Sequence, residues 1–381
     1  MCRIAFGAWS TVTIKRQIIN FNQRSIDVRI GSEIMDELSR LAAAPVGKPK
    51  RALMVADGAA LEARGEDVRR SLVSAGFTVE VLEPAIEGGE DGGIPLGATT
   101  ALLEAFARCG LTADDLVFAL GSFGLCSLAA FCAHVWRGGV ACTVMPFELE
   151  GMVRIATEME PLGVAGAPGS VALPPNPAMV LCDFALVPSM TPEQLHLGCA
   201  LMACAALAEG KKTWTDLREH AASVAVGEEA ALRDALAATQ VARRNVLKSP
   251  NPSARRALEF GDTAARALAA CVAGDVPRSV LRAEGMRFEA RLAVDAAGLK
   301  PEVAFDLDDL LFDLGIEDAG FTLDADAFVA AIRAVVAERS NRFLLPLPKA
   351  VGQIRLTSVA DELLERHAAA YAASLAPDVV P

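Results

Sequence analysis

Up to about Pro188 the chain alternates short runs of β-type residues with stretches of helical periodicity, and this alternation limits the possible fold more than any other feature. SIDVRI precedes a helical run from Glu33 to Ala43, RALMVAD precedes Leu61 to Ala75, FTVEVLE precedes Thr99 to Cys109, and DLVFAL runs into a turn rich in glycine and serine. Further strands are expected at VACTVMP and AMVLCDF. Parallel neighbours can be joined only by a crossover, so strands separated by helices predict a parallel sheet with helices on its faces. After Pro188 the period changes. Pro192 to Glu209, Trp214 to Val224, Glu228 to Leu247, Ala254 to Ala273, Ser279 to Ala296, Leu307 to Leu314, Ala325 to Glu338 and Val359 to Leu375 all read as helices, many opening on Thr, Ser, Asp or Pro where a cap belongs. The expectation is an α/β parallel-sheet domain over residues 1–188 and an all-α domain over residues 189–381, packed together with a cleft between them.

Composition narrows the function. A chain of 381 residues, 52% hydrophobic and 22% charged, has enough apolar material for one or two cores, which excludes disorder. A net charge of -12 without any Lys/Arg stripe repels polyanions, so nucleic acid is not an expected partner. Val117 to Trp136 carries no formal charge and is long enough to cross a bilayer. Gly121, Ser122, Gly124 and Ser127 divide it into a buried strand, a turn and a buried helix, so no membrane association is expected. The nine cysteines lie in apolar stretches without the spacing of a metal knuckle or redox pair, and read as buried thiols of a cytoplasmic protein. Met1 to Val12 lacks the apolar run of a secretory leader.

The order of segments resembles the 3-dehydroquinate synthase family, a group of sugar-phosphate cyclases, from about Ile30 onward. VRIGSEIMDELSRL, GLTADDLVFALGS, AAFCAHVWRGG, VMPFELEGMV, PAMVLCDFALVPSMTPEQLHLG, LEFGDT and EGM follow one another as that family's landmarks do. The resemblance implies a Rossmann-like dinucleotide-binding domain, a helical domain, NAD, a divalent metal such as zinc, and a homodimer. The implied chemistry is transient hydride transfer to NAD, phosphate elimination, hydride return and ring closure.

Each of those steps needs particular groups, and most are missing. The metal needs one carboxylate and two imidazoles, but the matching positions hold Leu201, Asp262 and Arg278. None of the four histidines, His134, His196, His220 and His367, falls on a ligand position. A further histidine of the family is Arg266 here and the preceding asparagine is Glu259; with Asp262 these share a helical spacing that predicts mutual ion pairs closing the site. The family's glycine-rich loop reads Gly121, Ser122, Phe123, with Gly124 retained and Ser127 for its aspartate, and the Phe123 ring is expected to obstruct a pyrophosphate. Glu90 matches the glutamate of a Gly-Glu-x-x-Lys cofactor motif whose lysine is Gly93. Two threonines, an aspartate and a lysine are replaced by Phe147, Glu148, Arg154 and Glu160, so two charges are reversed. A Lys-Asn pair becomes Pro168 and Gly169, and another lysine falls near Val241, beside Arg243 and Arg244. Arg137 and Arg255 persist where the family contacts substrate anions, and a guanidinium fork suits phosphate or carboxylate.

The resulting expectation is a cytoplasmic homodimer without catalytic, metal or functional cofactor residues. It would bind a protein partner, or a phosphorylated or carboxylated metabolite through Arg137 and Arg255, with Glu90, Gly121, Ser122 and Gly124 as a cofactor-site vestige. The alternative is a divergent active cyclase that uses NAD and zinc.

Overall fold

The computed structural model describes residues 14–21, 24–85, 93–318 and 320–375. Twelve strands occur among them. In chain order they are β1 (Lys15–Phe21), β2 (Arg24–Gly31), β3 (Arg51–Ala56), β4 (Thr78–Leu82), β5 (Ile94–Pro95) and β6 (Leu116–Gly121). They continue with β7 (Ala141–Pro146), β8 (Leu162–Val164), β9 (Ala167–Val171), β10 (Met179–Asp183), β11 (Leu344–Ala350) and β12 (Gln353–Ser358).

Seven of these form the main sheet in the order β1-β2-β10-β7-β6-β3-β4. All its pairings are parallel except the edge hairpin of β1 with β2. The inner strands β6 and β10 are buried along their whole length, which is why they read as unbroken apolar runs rather than alternating ones. Strand β1 was not legible as a strand, because KRQIINF carries only a weak alternation and is buried only at Ile19.

The parallel strands all point their C-terminal ends to one edge of the sheet. The chain leaves β3 toward β4 on one side, then returns to place β6 on the other side of β3. A crevice opens at such a reversal, so the loops after β3 and β6 flank the natural ligand position of this sheet.

The C-terminal part is helical. Pro192–Glu209 opens with Thr191 in a capping box with Gln194, and Leu197 to Ala208 are buried on every side, so this helix forms the centre of that half. The helix Leu149–Arg154, which follows β7, packs onto it where Gly198 leaves room: a Cβ there would lie 2.6 Å from Leu149 Cβ. This half also carries the antiparallel hairpin β11–β12. Pro346 and Pro348 hid it, since proline inside an apolar run reads against a strand. Here each takes a position without a ladder bond, and the Leu356 N–H opposite Pro346 donates to Ser253 Oγ at 2.7 Å instead.

Helices Asp262–Cys271 and Arg278–Ala297 touch backbone to backbone. Gly261 has φ +80°, and a Cβ on Gly285 would overlap the Gly261 carbonyl oxygen and lie 2.7 Å from Ala265 N. Both neighbours are main chain and cannot rotate away. Gly285→Ala is therefore expected to destabilise the protein by about 3 kcal/mol, the upper range for overpacking, read as a lower urea midpoint at unchanged slope; a midpoint equal to wild type would contradict this packing.

Candidate functional site

The crevice between β3 and β6 is already engaged by the chain itself. Asp57, the first residue after β3, accepts from Ala60 N at 2.9 Å and from Ser122 N, in the turn after β6, at 2.9 Å. Ser122 in turn caps the helix Phe123–Val135 by accepting from Leu125 N at 3.3 Å. An N–H at the start of a helix is the kind of donor that cradles a phosphate, and here its acceptor is a carboxylate. Gly121 permits the contact: with φ +151°, a Cβ on it would overlap Asp57 Oδ2. Beside this contact lies a cavity of about 310 Å³ lined by Asp57, Gly58, Glu83, Pro84, Ile94, Ser122, Gly124 and Leu125. The expected obstruction by Phe123 is corrected. Its side chain is buried and its ring lies under the Arg154 guanidinium, 4.2 Å from the centroid, because the helix turns it into the core.

The segment after β7 builds an ion network. Arg154 contacts Glu150 at 2.5 Å, Glu158 at 2.9 Å and Glu160 at 3.4 Å. Arg243, on the helix Glu229–Leu247 and almost fully buried, reaches across to Glu158 at 2.6 Å and donates to Thr157 Oγ1 at 2.9 Å. Arg278 closes on Glu150 at 3.3 Å. Burial alone would raise the Glu158 carboxyl, but the guanidiniums of Arg154 and Arg243 outweigh it and hold it at about 2. Glu148 lies outside these pairs. Burial first, then repulsion from Glu150, with Asp57 and Glu193 adding and only Arg278 opposing, pushes it up to about 7.

The three positions that the resemblance assigns to a metal do not fit one. Leu201 has no donor atom, Asp262 is paired with Arg282 at 2.9 Å, and Arg278 brings a positive charge to the place of an imidazole. Among the described residues no group of three His, Cys, Asp or Glu side chains is placed to hold a metal ion. Arg282 also donates to the carbonyls of Leu258 at 3.0 Å and Phe260 at 2.9 Å, while Glu289 accepts from Gly261 N at 2.7 Å and Ala264 N at 3.1 Å. The expected pairing of Glu259, Asp262 and Arg266 with one another is corrected. Gly261 separates Glu259 from the helix that carries Asp262 and Arg266, so Glu259 pairs with Arg256 at 2.5 Å and Arg339 at 3.5 Å, while Asp262 is taken by Arg282 and Arg266 pairs with Glu338 at 2.5 Å.

The other sequence candidates are scattered. Gly121, Ser122 and Gly124 meet at the crevice, whereas Glu90 lies outside the described residues. Arg137 is exposed at the far end of the 13-residue helix Phe123–Val135, about 20 Å from Ser122 at 1.5 Å per residue. It has φ 48° and ψ 29°, rests 5.3 Å from the Trp136 ring centroid, and donates to the Leu111 carbonyl at 3.1 Å. Arg255 is exposed and donates to the Ser249 carbonyl at 3.2 Å. Pro168 and Gly169 form part of the hairpin of β8 with β9. Asp57, Glu158 and Arg282 were missed. An Asp-Gly step directly after the strand-like RALMVA was the available signal for Asp57, and the i,i+4 spacing of Arg154 and Glu158 was one for Glu158, whereas the Arg243–Glu158 bridge and the Arg282 contacts join residues distant in sequence.

Two outcomes follow for stability. Glu148 and the buried Glu289 both stand near 7 instead of the usual 4.5. A folded-state value above the unfolded one means that the folded form holds the proton more tightly. Their contribution is complete below pH 4.5 and is lost as pH rises toward 7. Glu158 acts in the opposite sense, losing its contribution as pH falls from 4.5 through about 2. The melting temperature is expected to peak near pH 5 and to decline toward pH 8, and Glu148→Gln should recover on the order of 3 kcal/mol at the alkaline end; a pH-independent gain would refute the assignment. Arg154→Met leaves the buried Glu150 with only the longer contact to the exposed Arg278 and is expected to cost about 3 kcal/mol, measured by urea denaturation at pH 7, with a loss under about 1 kcal/mol counting against the network's role.

No family model matches the chain. In sequence it is similar to the 3-dehydroquinate synthase of Arthrobacter sp. (strain FB24), 27% identical over 274 residues that cover 70% of this chain and 72% of the relative. To that of Nitrobacter winogradskyi it is 26% identical over 365 residues, covering 89% and 91%. In fold it is similar to a 2-deoxy-scyllo-inosose synthase crystallised with carbaglucose-6-phosphate, NAD+ and Co2+, with TM-score 0.80 and 17% identity over 93% of this chain and 99% of that one. It also matches the 2-epi-5-epi-valiolone synthase ValA of Streptomyces hygroscopicus subsp. jinggangensis with NAD+ and Zn2+ bound, with TM-score 0.77 and 18% identity over 94% and 99%. Sequence relatives and structural neighbours point the same way: the chain is similar in sequence to 3-dehydroquinate synthases and shares the two-part fold of 2-deoxy-scyllo-inosose synthase and ValA.

Proposed function

We propose that this protein is a non-catalytic member of the dehydroquinate synthase-like group, a cytoplasmic homodimer that acts by binding. The observation that carries the reading is the cleft network in which Arg154, Arg243 and Arg278 are neutralised by Glu150, Glu158 and Glu160. Charges that a substrate would need to find free are spent on one another. The loop that a pyrophosphate would approach is held by Asp57, with Glu83 and Glu148 nearby as further carboxylates. The metal positions supply one carboxylate, already paired, and no imidazole.

A cytoplasmic setting accords with the eight described cysteines, all reduced, and with the absence among the described residues of any helix long and apolar enough to cross a membrane. Arg137 and Arg255 retain the chemistry to hold a phosphorylated or carboxylated metabolite, but each already serves a backbone carbonyl. A protein partner is therefore the favoured ligand.

The deciding experiment is calorimetric titration of the purified protein with NAD and with zinc, followed by a phosphate-release assay on the heptulosonate phosphate substrate of the related synthases. No heat of binding and no release are expected. Saturable cofactor binding accompanied by phosphate release would replace this reading with that of a divergent active cyclase.

A further inference from the structure

The helix Pro301–Asp313 turns an unusual face to solvent. Its inner side is packed through Ala304, Leu307, Leu310 and Leu311, yet Phe305 and Phe312 remain 63% and 71% exposed. They are the only aromatic residues among the large hydrophobic side chains left exposed in the described chain. An isolated exposed apolar side chain needs no explanation, but two phenyl rings on one stripe do.

Glu302, Phe305, Asp309 and Phe312 follow one another at spacings of three, four and three, so acid and phenyl alternate along a single exposed stripe, with Asp313 at its end. The two rings are about 10 Å apart along the axis, seven residues at 1.5 Å each. Asp306 and Asp308 of the same helix are engaged by Arg218 and Arg291. Glu302, Asp309 and Asp313 make no ion pair with any described residue.

We propose that this stripe docks a protein partner through a basic amphipathic helix, with aliphatic side chains one heptad apart seated on Phe305 and Phe312 and Lys or Arg facing Glu302, Asp309 and Asp313. The free carboxylates select the sign of the partner, and the rings supply the apolar anchors. A second copy of this chain is the poorer occupant, because stripe against stripe sets carboxylate on carboxylate in a protein that already carries a net charge of -12. The inference rests on the protein-binding reading above and gives it a location.

The test uses the full chain and a fluorescein-labelled synthetic peptide of about 18 residues with leucine on one face and lysine on the other, a helix-in-groove mimic. Saturable binding is expected at low salt, weakened at least tenfold in F305S/F312S and in D309K/D313K, and absent for the same peptide with glutamate in place of lysine. Both variants alter solvent-facing side chains and should melt as wild type does; should one fail to fold, the other decides. Equal binding by wild type and variants, or no binding by wild type, overturns the proposal. Self-association in sedimentation velocity that is lost in F305S/F312S also overturns it, assigning the face to a second copy. Cofactor binding in the calorimetric titration would remove the non-catalytic reading while leaving this result intact.

Discussion

The rest of the cleft depends on the Arg154 guanidinium. It lies over the Phe123 ring, which begins the helix after β6, and is held by three carboxylates from the segment after β7. Through Glu158 it is coupled to Arg243, and through Glu150 to Arg278, both in the helical part. One planar cation thereby joins the two loops at the sheet's C-terminal edge to the helices facing them. Such pairs gain little over apolar packing, since desolvating each ion costs several kcal/mol. They do make separation of the two parts unfavourable, because opening the cleft would take Glu158 and Thr157 from Arg243 and leave that guanidinium unpaired in a poorly solvated place.

Charged side chains of the chain itself fill the cleft, at Arg154 and Glu160 with the sign opposite to the one the resemblance implies. A carboxylate from Asp57 engages the N–H that a bound phosphate would use, and the Arg278 guanidinium brings positive charge where the resemblance implies a metal ligand. Buried donors and acceptors must be satisfied by the chain itself or by a ligand, or stay unpaired at a cost of about 1–3 kcal/mol each. Side chains of the chain itself satisfy such groups here, as Asp57 does for the Ser122 N–H.

Glu148 is where this compensation is incomplete. It sits among acids and lacks a cation of its own, and its raised proton affinity is the physical trace of that imbalance.

The alternation of apolar runs and helical periods, read directly from the residues, determined the parallel sheet and the helical second half, because period depends only on local geometry. The residue types at the positions that the resemblance assigns to a metal are equally plain in the sequence: a Leu cannot replace a carboxylate ligand, nor an Arg an imidazole, in any conformation. What the residues alone did not decide was which charges meet. Glu259, Asp262 and Arg266 have the spacing of a paired helix face, yet a left-handed Gly261 cuts Glu259 off from the helix that carries the other two, and each of the three finds a different partner. The proline-bearing hairpin, the Asp57 contact and the Arg243–Glu158 bridge likewise arise from neighbours far away in sequence. Ion pairs and hydrogen bonds act over a few ångströms, and only the tertiary fold fixes which residues lie within that range.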